Sequence, residues 1–423
     1  MSNYVRLSEL IKSVSITHKF DKEELVFLNT SDVLEGKILI NHYSKVSELK
    51  GQAKKTIKNG DILYSEIRPK NKRYAYVREI SNVEDYVVST KLMVLRNNSK
   101  LLDTDYLYHF LTNEDTINYL QKRAENRIGS FPQITFDVLK TLQIWLPDKS
   151  VQKSIAKILS DLDAKIELNN RINRELEAMA KTLYDYWFVQ FDFPNEQGKP
   201  YKSSGGKMVY NKELKREIPE GWEVKKLSEI ANITMGQSPE GSSYNDDGIG
   251  EIFFQGSTDF GWRYPTIRQY TTQPSRRAKA GDILLSVRAP VGTLNIADND
   301  CCIGRGLAAL NSKSGYDSYL FYVMEYFQQI FDNRNNAGTT FGSITKDDLF
   351  SLKLVYPKDD ILKKYNKSVF KYNQIILNNH KQNQQLSELR DWLLPMLMNG
   401  QVTVKEGEER LSMAAEPSVK YGD

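Results

Sequence analysis

Ile134-Thr135-Phe136-Asp137-Val138-Leu139 returns as Ile344-Thr345-Lys346-Asp347-Asp348-Leu349, and 344 − 134 is 210. Leu7-Ser8-Glu9-Leu10 returns as Leu227-Ser228-Glu229-Ile230, where 227 − 7 is 220. Between them, Asn59-Gly60-Asp61-Ile62-Leu63 matches Ala280-Gly281-Asp282-Ile283-Leu284, and 280 − 59 is 221. A period this long marks a duplicated domain rather than a solenoid of short repeats. The expected fold is α+β, built from two similar modules with an internal pseudo-two-fold symmetry. Such a chain suits a target that itself has two halves.

Each copy reads in one order. A segment of short strands and turns comes first, roughly residues 1–146 and 219–356, with β-type runs such as Ile62-Leu63-Tyr64 and Ile283-Leu284-Leu285-Ser286-Val287. It holds a short helical stretch, Tyr106 to Leu111 in one copy and Tyr319 to Met324 in the other. A strand ending in proline closes it, at Pro147 and Pro357, and a long helical pattern follows. In the first helix, spacing that alternates four and three selects Ile155, Leu159, Leu162, Ile166, Asn169, Asn173, Leu176, Ala180 and Leu183. Adding 210 gives Tyr365, Val369, Tyr372, Ile376, Asn379, Asn383, Leu386, Arg390 and Leu393. This is a coiled-coil seam. Its asparagines need partners if buried, and asparagines on a facing helix can supply them. Arg390 is out of character there, and the adjacent Leu389 can cover that turn.

The 423 residues leave room for two or three domains, with hydrophobic and charged fractions (40% and 26%) ordinary for a soluble protein. No run of about 18 apolar residues occurs, and the first residues lack a signal-peptide core, so no membrane association is expected. The only cysteines, Cys301 and Cys302, are adjacent, which excludes a disulfide framework and fits a cytoplasmic setting. A formal charge of +4 permits a nucleic-acid partner without proving one. No phosphate-binding GxxxxGK[ST] loop, GxSxG elbow or HExxH pair is present, so no catalytic residue is assigned. His18, His42, His109 and His380 are scattered, and no metal site is expected. Asp359-Asp360 is read as acidic residues opening a helix. Phe191 to Gly206 reads as a linker or extended connection, Pro395 and Gly400 end the second helix, and a mobile polar tail follows.

The loops of both strand-rich segments combine flexible backbone with donor side chains. Arg and Gln can bond base edges in pairs, while Lys, Ser and backbone N–H groups position phosphates. The DNA-binding candidates in the first copy are Arg68, Lys70, Lys72, Arg73, Arg127, Ser130 and Gln133. In the second they are Gln237, Ser238, Gln255, Ser257, Arg288, Arg305, Thr339, Thr340 and Ser343. These loops differ between copies while the scaffold motifs persist, as two reading heads for different sequences would require.

The residues resemble the specificity subunit of type I restriction–modification systems over essentially the whole chain. The resemblance rests on Ile218-Pro219-Glu220-Gly221-Trp222, on Gly281 through Gly292, and on Ile303-Gly304-Arg305-Gly306-Leu307. It rests also on Gln152 to Ala156, Leu168 to Asn173, and Tyr186-Trp187-Phe188-Val189-Gln190-Phe191-Asp192. It implies two mixed α/β target-recognition domains, 1–150 and 219–358, joined by two long antiparallel helices, 151–190 and 359–400. A linker at 191–218 and a flexible C-terminal tail at 401–423 complete the expected layout. The resemblance implies no catalysis by this chain: each domain reads half of a bipartite, asymmetric double-stranded DNA target, and the helices set the spacer. It implies docking of two modification (methyltransferase) subunits using S-adenosylmethionine, and of restriction subunits using ATP and Mg. A helical seam of about 30 residues spans roughly 45 Å, a little over one DNA turn. The rival readings are a stand-alone nuclease or methyltransferase with fused recognition domains, and a coiled-coil scaffold with no DNA role.

Overall fold

A glycine in the left-handed region, followed by aspartate, starts the central strand of each strand-rich segment. The computed structural model describes residues 4–49, 51–126, 132–336 and 343–415. Gly60 has φ +95° and Gly281 φ +96°, a turn that a side chain would strain. Asp61 Oδ2 accepts from Lys58 N at 2.8 Å, and Asp282 Oδ2 from Lys279 N at 2.9 Å. Each carboxylate is then held by the neighbouring strand, by Arg96 through two contacts of 2.6 Å and by Asn311 Nδ2 at 2.9 Å. The repeated Gly-Asp thus makes a turn that ties two strands together.

The strands that follow match in topology. Ile62–Ser65 lies between Leu92–Asn97 and Tyr74–Tyr76, with Ile11–Val14 outermost, all antiparallel. Ile283–Ser286 lies between Leu307–Ser312 and Leu294–Ile296, with Ala231–Met235 outermost, in the same order. A second sheet in each copy carries a parallel pair, Glu24–Leu28 with Tyr86–Ser89 and Glu251–Phe254 with Cys301–Ile303. Strand alternation divides the core: Ile62 and Tyr64 pack with the helices while Leu63 faces the second sheet, and Ile283 and Leu285 stand to Leu284 in the same way.

In the first copy α1 (Thr104–Thr112) and α2 (Glu114–Glu125) are capped by the side chains of Asp103 and Asn113. The single turn α3 (Phe136–Leu139) and the strand Gln143–Trp145, paired with Tyr4–Arg6, lead into α4 (Lys149–Tyr184), which ends in a π-helical turn at Asp185–Val189. In the second copy α5 (Leu227–Ile230) answers the short turn at Leu7–Glu9, α6 (Asp317–Asn336) stands in the place of α1 and α2, and α7 (Lys346–Ser351) and α8 (Asp359–Met398) match α3 and α4. The repeated Ile-Thr-x-Asp-x-Leu block opens α3 and α7. Its Ile and Leu are buried in both copies, and Thr345 and Asp348 form a capping box. Asp359, opening α8, pairs with Lys363 at 2.8 Å.

By contacts the chain forms two units, Met1–Asn169 with His380–Asp423, and Asn170–Asn379, so α4 and α8 each contribute to both. In the first unit Asn169, 1% exposed, donates to Gln382 Oε1 and Asn383 Oδ1, each at 2.8 Å. In the second, Asn379 Nδ2 donates to Asn173 Oδ1 at 2.8 Å. Within each unit the helices run antiparallel, since Asp163 meets Arg390 beyond the first pair and Ala180 O accepts from Tyr365 Oη beyond the second. Leu162, Ile376 and Leu386 are fully buried along the seam, and Ile166, Leu176 and Tyr372 half-buried. Arg390 keeps its charge by pairing with Asp163 and Asp391, each at 3.0 Å, beside a partly buried Leu389.

Three expectations are corrected. Pro395 does not end α8: it lies within the helix, whose last turns bury Leu393, Leu394, Leu397 and Met398, and the chain turns at Gly400 (φ +74°). Burial of those four side chains offsets the backbone hydrogen bond that proline forgoes. Residues 401–423 are not wholly a mobile tail, because α9 (Val404–Ala415) is capped by Thr403 and Glu406. It packs Val404, Leu411 and Ala414 on the first unit's core, with Gly407 against Ile158 and Leu397. The stretch expected as a linker is also packed. Phe191 and Phe193 are buried, Phe193 stacks on Tyr201 and Trp222 (4.6 and 4.8 Å), and Met208–Asn211 pairs with Arg216–Pro219. Ser203 N and Oγ donate to Asp192, holding its carboxyl below the usual range. No helix among the described residues is long and apolar enough to cross a membrane.

His109 of α1 is buried against α4, with Nε2 3.2 Å from Ser160 Oγ, and burial pushes its pKa down to about 4. The folded form therefore resists a proton that the unfolded chain takes up below about 6.5. Stability is expected to fall as pH drops from about 6.5 to about 4, by up to about 3 kcal/mol. Urea unfolding across that window should show the slope in the wild type and a flatter one in His109→Phe.

Candidate nucleic-acid interface

In the second unit, glycines let three loops meet backbone to backbone. Gly236 N donates to Leu307 O at 2.9 Å, Gln237 N to Ile303 O at 3.0 Å, and Gly304 N to Phe254 O at 2.8 Å. A Cβ on Gly236 would lie 2.2 Å from Gly304 O, and one on Gly306 would lie 2.8 Å from Gln255 O. This approach gathers Gln237, Ser238, Gln255 and Arg305 on one surface. Gln255 Nε2 donates to Ser238 Oγ at 3.1 Å, and Arg305 N donates to the same oxygen at 3.2 Å. Val287 N donates to Gly306 O at 2.9 Å, which brings Arg288 alongside, and Arg288 is bridged to Ser343. Ser257, half-buried, opens a short 3-10 turn two residues beyond Gln255.

The first unit repeats the frame of this site. Ile67 is bridged to Gln133 as Arg288 is to Ser343, where 288 − 67 is 221 and 343 − 133 is 210. Ile134 N donates to Glu66 O at 2.8 Å, as Ile344 N does to Val287 O at 2.9 Å. Arg68 and half-buried Gln133 are thus adjacent, and Arg68 N donates to Pro132 O at 3.1 Å. Around them the basic turn is fixed, with Arg68 and Lys72 at φ +44° and +51° and Lys70 N donating to Gln121 Oε1 at 3.1 Å.

Charge pairing separates the candidates. Arg68, Lys70, Arg288 and Arg305 are exposed, and their side chains have no hydrogen-bond or ion-pair partner among the described residues. Lys72 instead pairs with Glu114 at 3.3 Å, and Arg73 Nη1 donates to the carbonyls of Ser31 and Val33 at 2.9 and 3.3 Å. Those two bases brace their own domain. Arg127, Ser130, Thr339 and Thr340 lie outside the described residues. Arg276, which sequence reading passed over, joins the second cluster: it is exposed and unpaired among the described residues, and its carbonyl accepts from Ile303 N at 2.8 Å. The Arg276-Arg277 doublet was the available signal.

Nearby carboxylates are neutralised locally, Asp259 by Arg268 and Glu251 by Arg277, whose hydrogen bond holds the Glu251 carboxyl below its usual range. The guanidinium groups of Arg276, Arg288 and Arg305 therefore stand beside amides and hydroxyls with no acid paired to them among the described residues, a donor set suited to phosphate oxygens and base edges. A cleft of about 600 Å³ in the first unit differs in kind. Tyr74, Tyr76 and Tyr108 line it, and its bases are paired, Lys37 with Glu167 at 2.6 Å and Arg78 with Asp105 at 2.9 Å. Burial pushes the Cys301 thiol up to about 12, away from nucleophilic use. No cluster of three His, Cys, Asp or Glu side chains that could hold a metal occurs among the described residues.

The sequence pattern of the type I restriction modification DNA specificity domain matches residues 2–178 and 219–388, which are the two copies. The chain is 30% identical over 455 residues to the type I restriction enzyme HindI specificity subunit of Haemophilus influenzae, covering 92% of this chain and 97% of that one. It is 27% identical over 319 residues to the type I restriction enzyme MjaIX specificity subunit of Methanocaldococcus jannaschii, covering 72% and 70%. A solved type I restriction-modification system S subunit from M. genitalium aligns with a TM-score of 0.53 at 18% identity, over 93% and 95% of the two chains. At that identity the likeness speaks for the fold alone.

The close approach of loops yields a contrast between two glycines. Gly236→Ala puts a methyl group into carbonyls on two sides and should destabilise the second unit by about 1–3 kcal/mol. Gly256→Ala meets nothing within 4 Å at an extended φ of −169° and should change stability by less than about 1 kcal/mol. Chemical denaturation of the two variants checks the difference.

Proposed function

The chain belongs to the type I restriction–modification specificity subunits, and we propose that it reads DNA at two places on behalf of catalytic partners and catalyses nothing itself. The observation that carries this reading is the repeated bridge of the two units. The same frame bridges Ile67 to Gln133 in one and Arg288 to Ser343 in the other, with Arg68 next in sequence to Ile67. Arg68 in the first unit, and Arg288 and Arg305 in the second, have no side-chain partner among the described residues and sit among neutral donors. Each unit would then read one half of a bipartite double-stranded target, with specificity from base edges and affinity from phosphates.

The partners are modification subunits, which would supply S-adenosylmethionine and the methyl transfer, and through them restriction subunits using ATP and Mg. The paired helices are the natural docking surface and spacer. α4 alone has 36 residues, about 54 Å of helix, or one and a half turns of DNA.

Three experiments test this. The full chain assembled with its modification subunits should methylate one bipartite site. Arg288→Ala with Arg305→Ala should weaken binding and lower the salt dependence by about one unit for each phosphate no longer neutralised, leaving the half-site of the first unit unchanged. Methyl transfer or cleavage by the purified chain alone would contradict the adaptor reading. A heptad inserted beside Asn169, with another beside its partner Asn383, should lengthen the permitted spacer by about three base pairs with both half-sites kept. Methylome sequencing reads that outcome, and an altered half-site with an unaltered spacer would count against it.

A further inference from the structure

Arg263 lies in a turn of the second recognition segment and is only 3% exposed. An arginine so buried is costly unless its charge and its donors are met. Glu177 of α4 pairs with Nη1, and Asn373 Oδ1 of α8 accepts from Nη2 at 2.8 Å. The guanidinium also lies over the ring of Phe321 in α6, 4.5 Å from its centroid. Both acceptors are themselves fixed: Tyr322 Oη donates to Glu177 Oε1 at 3.1 Å, and Asn373 Nδ2 to Ser318 Oγ at 3.0 Å. One side chain from a recognition loop is thus gripped by three helices of its own unit.

The loop behind it is stiff. Phe260 is bridged to Pro265, and Thr266 N donates to Asp259 O at 2.8 Å. Asn295 bonds both the N–H and the carbonyl of Gly261, at 3.2 and 3.0 Å, and Ile296 N donates to Arg263 O at 2.8 Å. At its far end stand Ser257 and, two residues earlier, Gln255. A rigid lever therefore runs from the buried guanidinium to the surface that carries donors.

We infer that Arg263 is a positioning residue: it bolts the loop of Ser257 to the paired helices and so sets where the second head falls along the DNA. The inference rests on the DNA-reading function proposed above. Among the described residues the bolt belongs to the second copy alone. The first-copy counterpart of Asn373 is Asp163, since 373 − 210 is 163, and the arginine meeting Asp163 is Arg390 of α8, not a residue of the recognition segment.

The test uses the full chain assembled with its modification subunits, and methylation rates on DNAs carrying the preferred spacer or one base pair more or fewer. Arg263→Ala should lower the rate on the preferred spacer by on the order of 100-fold and on the shifted spacers much less, so the preference collapses. Glu177→Gln, nearly isosteric, should reduce the preference in the same direction, and Arg263→Lys should restore part of it. Equal losses on every spacer, or an unchanged preference in Glu177→Gln, would overturn the inference, and melting curves show that the variants compared are folded. A wild-type complex with no spacer preference at all would instead defeat the proposed function, and the bolt with it.

Discussion

Amide side chains in an apolar seam are the constraint on which this architecture depends. Asn169 and Asn173 are each all but excluded from solvent, and an unsatisfied buried amide costs about 1–3 kcal/mol. The cost is avoided where Asn169 meets Gln382 and Asn383, and Asn173 meets Asn379. Sliding one helix by a heptad would set Asn169 and Asn173 opposite Ile376 and Tyr372, or opposite Arg390 and Leu386, and would break both amide pairs. Polar pairs of this kind choose register, where leucine alone would tolerate several. Register then decides which apolar side chains each unit can use, Leu159 and Leu162 with Leu386 and Leu393 in the first, Ala180 with Tyr365 and Val369 in the second. Adding 210 to Asn169 and Asn173 gives Asn379 and Asn383, so each pair is the image of the other in sequence.

On this frame the two recognition segments keep their hydrogen bonds and change their tips. The Gly-Asp turn, the parallel strand pair and the bridge before the short helix recur with nearly equal lengths in both. What differs is the chemistry at the surface: a basic turn around Arg68 in one copy, and a glycine-packed cluster of Gln237, Ser238, Gln255 and Arg305 in the other. Frame and tip are separable because the frame is held by backbone groups and buried apolar side chains, neither of which constrains an exposed donor.

The frame was legible in the sequence wherever a motif encodes its own local structure. Gly60-Asp61 specifies a turn, Thr345 with Asp348 specifies a helix start, and the four-three spacing specifies the seam. Features decided by distant partners were hidden. α9 has apolar residues at Val404, Leu411 and Ala414, but Gly407 argues against a helix until Ile158 and Leu397 are seen to need the space. Pro395 reads as a terminator because the leucines that carry the helix past it are buried by other elements. Lys72 and Arg73 look like their neighbours Arg68 and Lys70, yet Glu114 and two carbonyls claim them, and none of these partners lies within thirty residues in sequence. The partners of Arg263 were likewise invisible, since Glu177, Asn373 and Phe321 lie on three separate helices.

The turn at Arg68 and Lys72 has one further consequence. Both residues hold left-handed backbone that a flexible loop would seldom visit, and Pro69 between them has its φ restricted by its ring. The chain entropy of that conformation is lost when the protein folds, long before any ligand arrives. A duplex meeting this turn would find its cations already aimed, and encounter would cost mainly side-chain freedom and displaced counterions. Under the proposed function, selectivity there would be a matter of fit to a fixed shape, and loosening the turn would trade discrimination for adaptability.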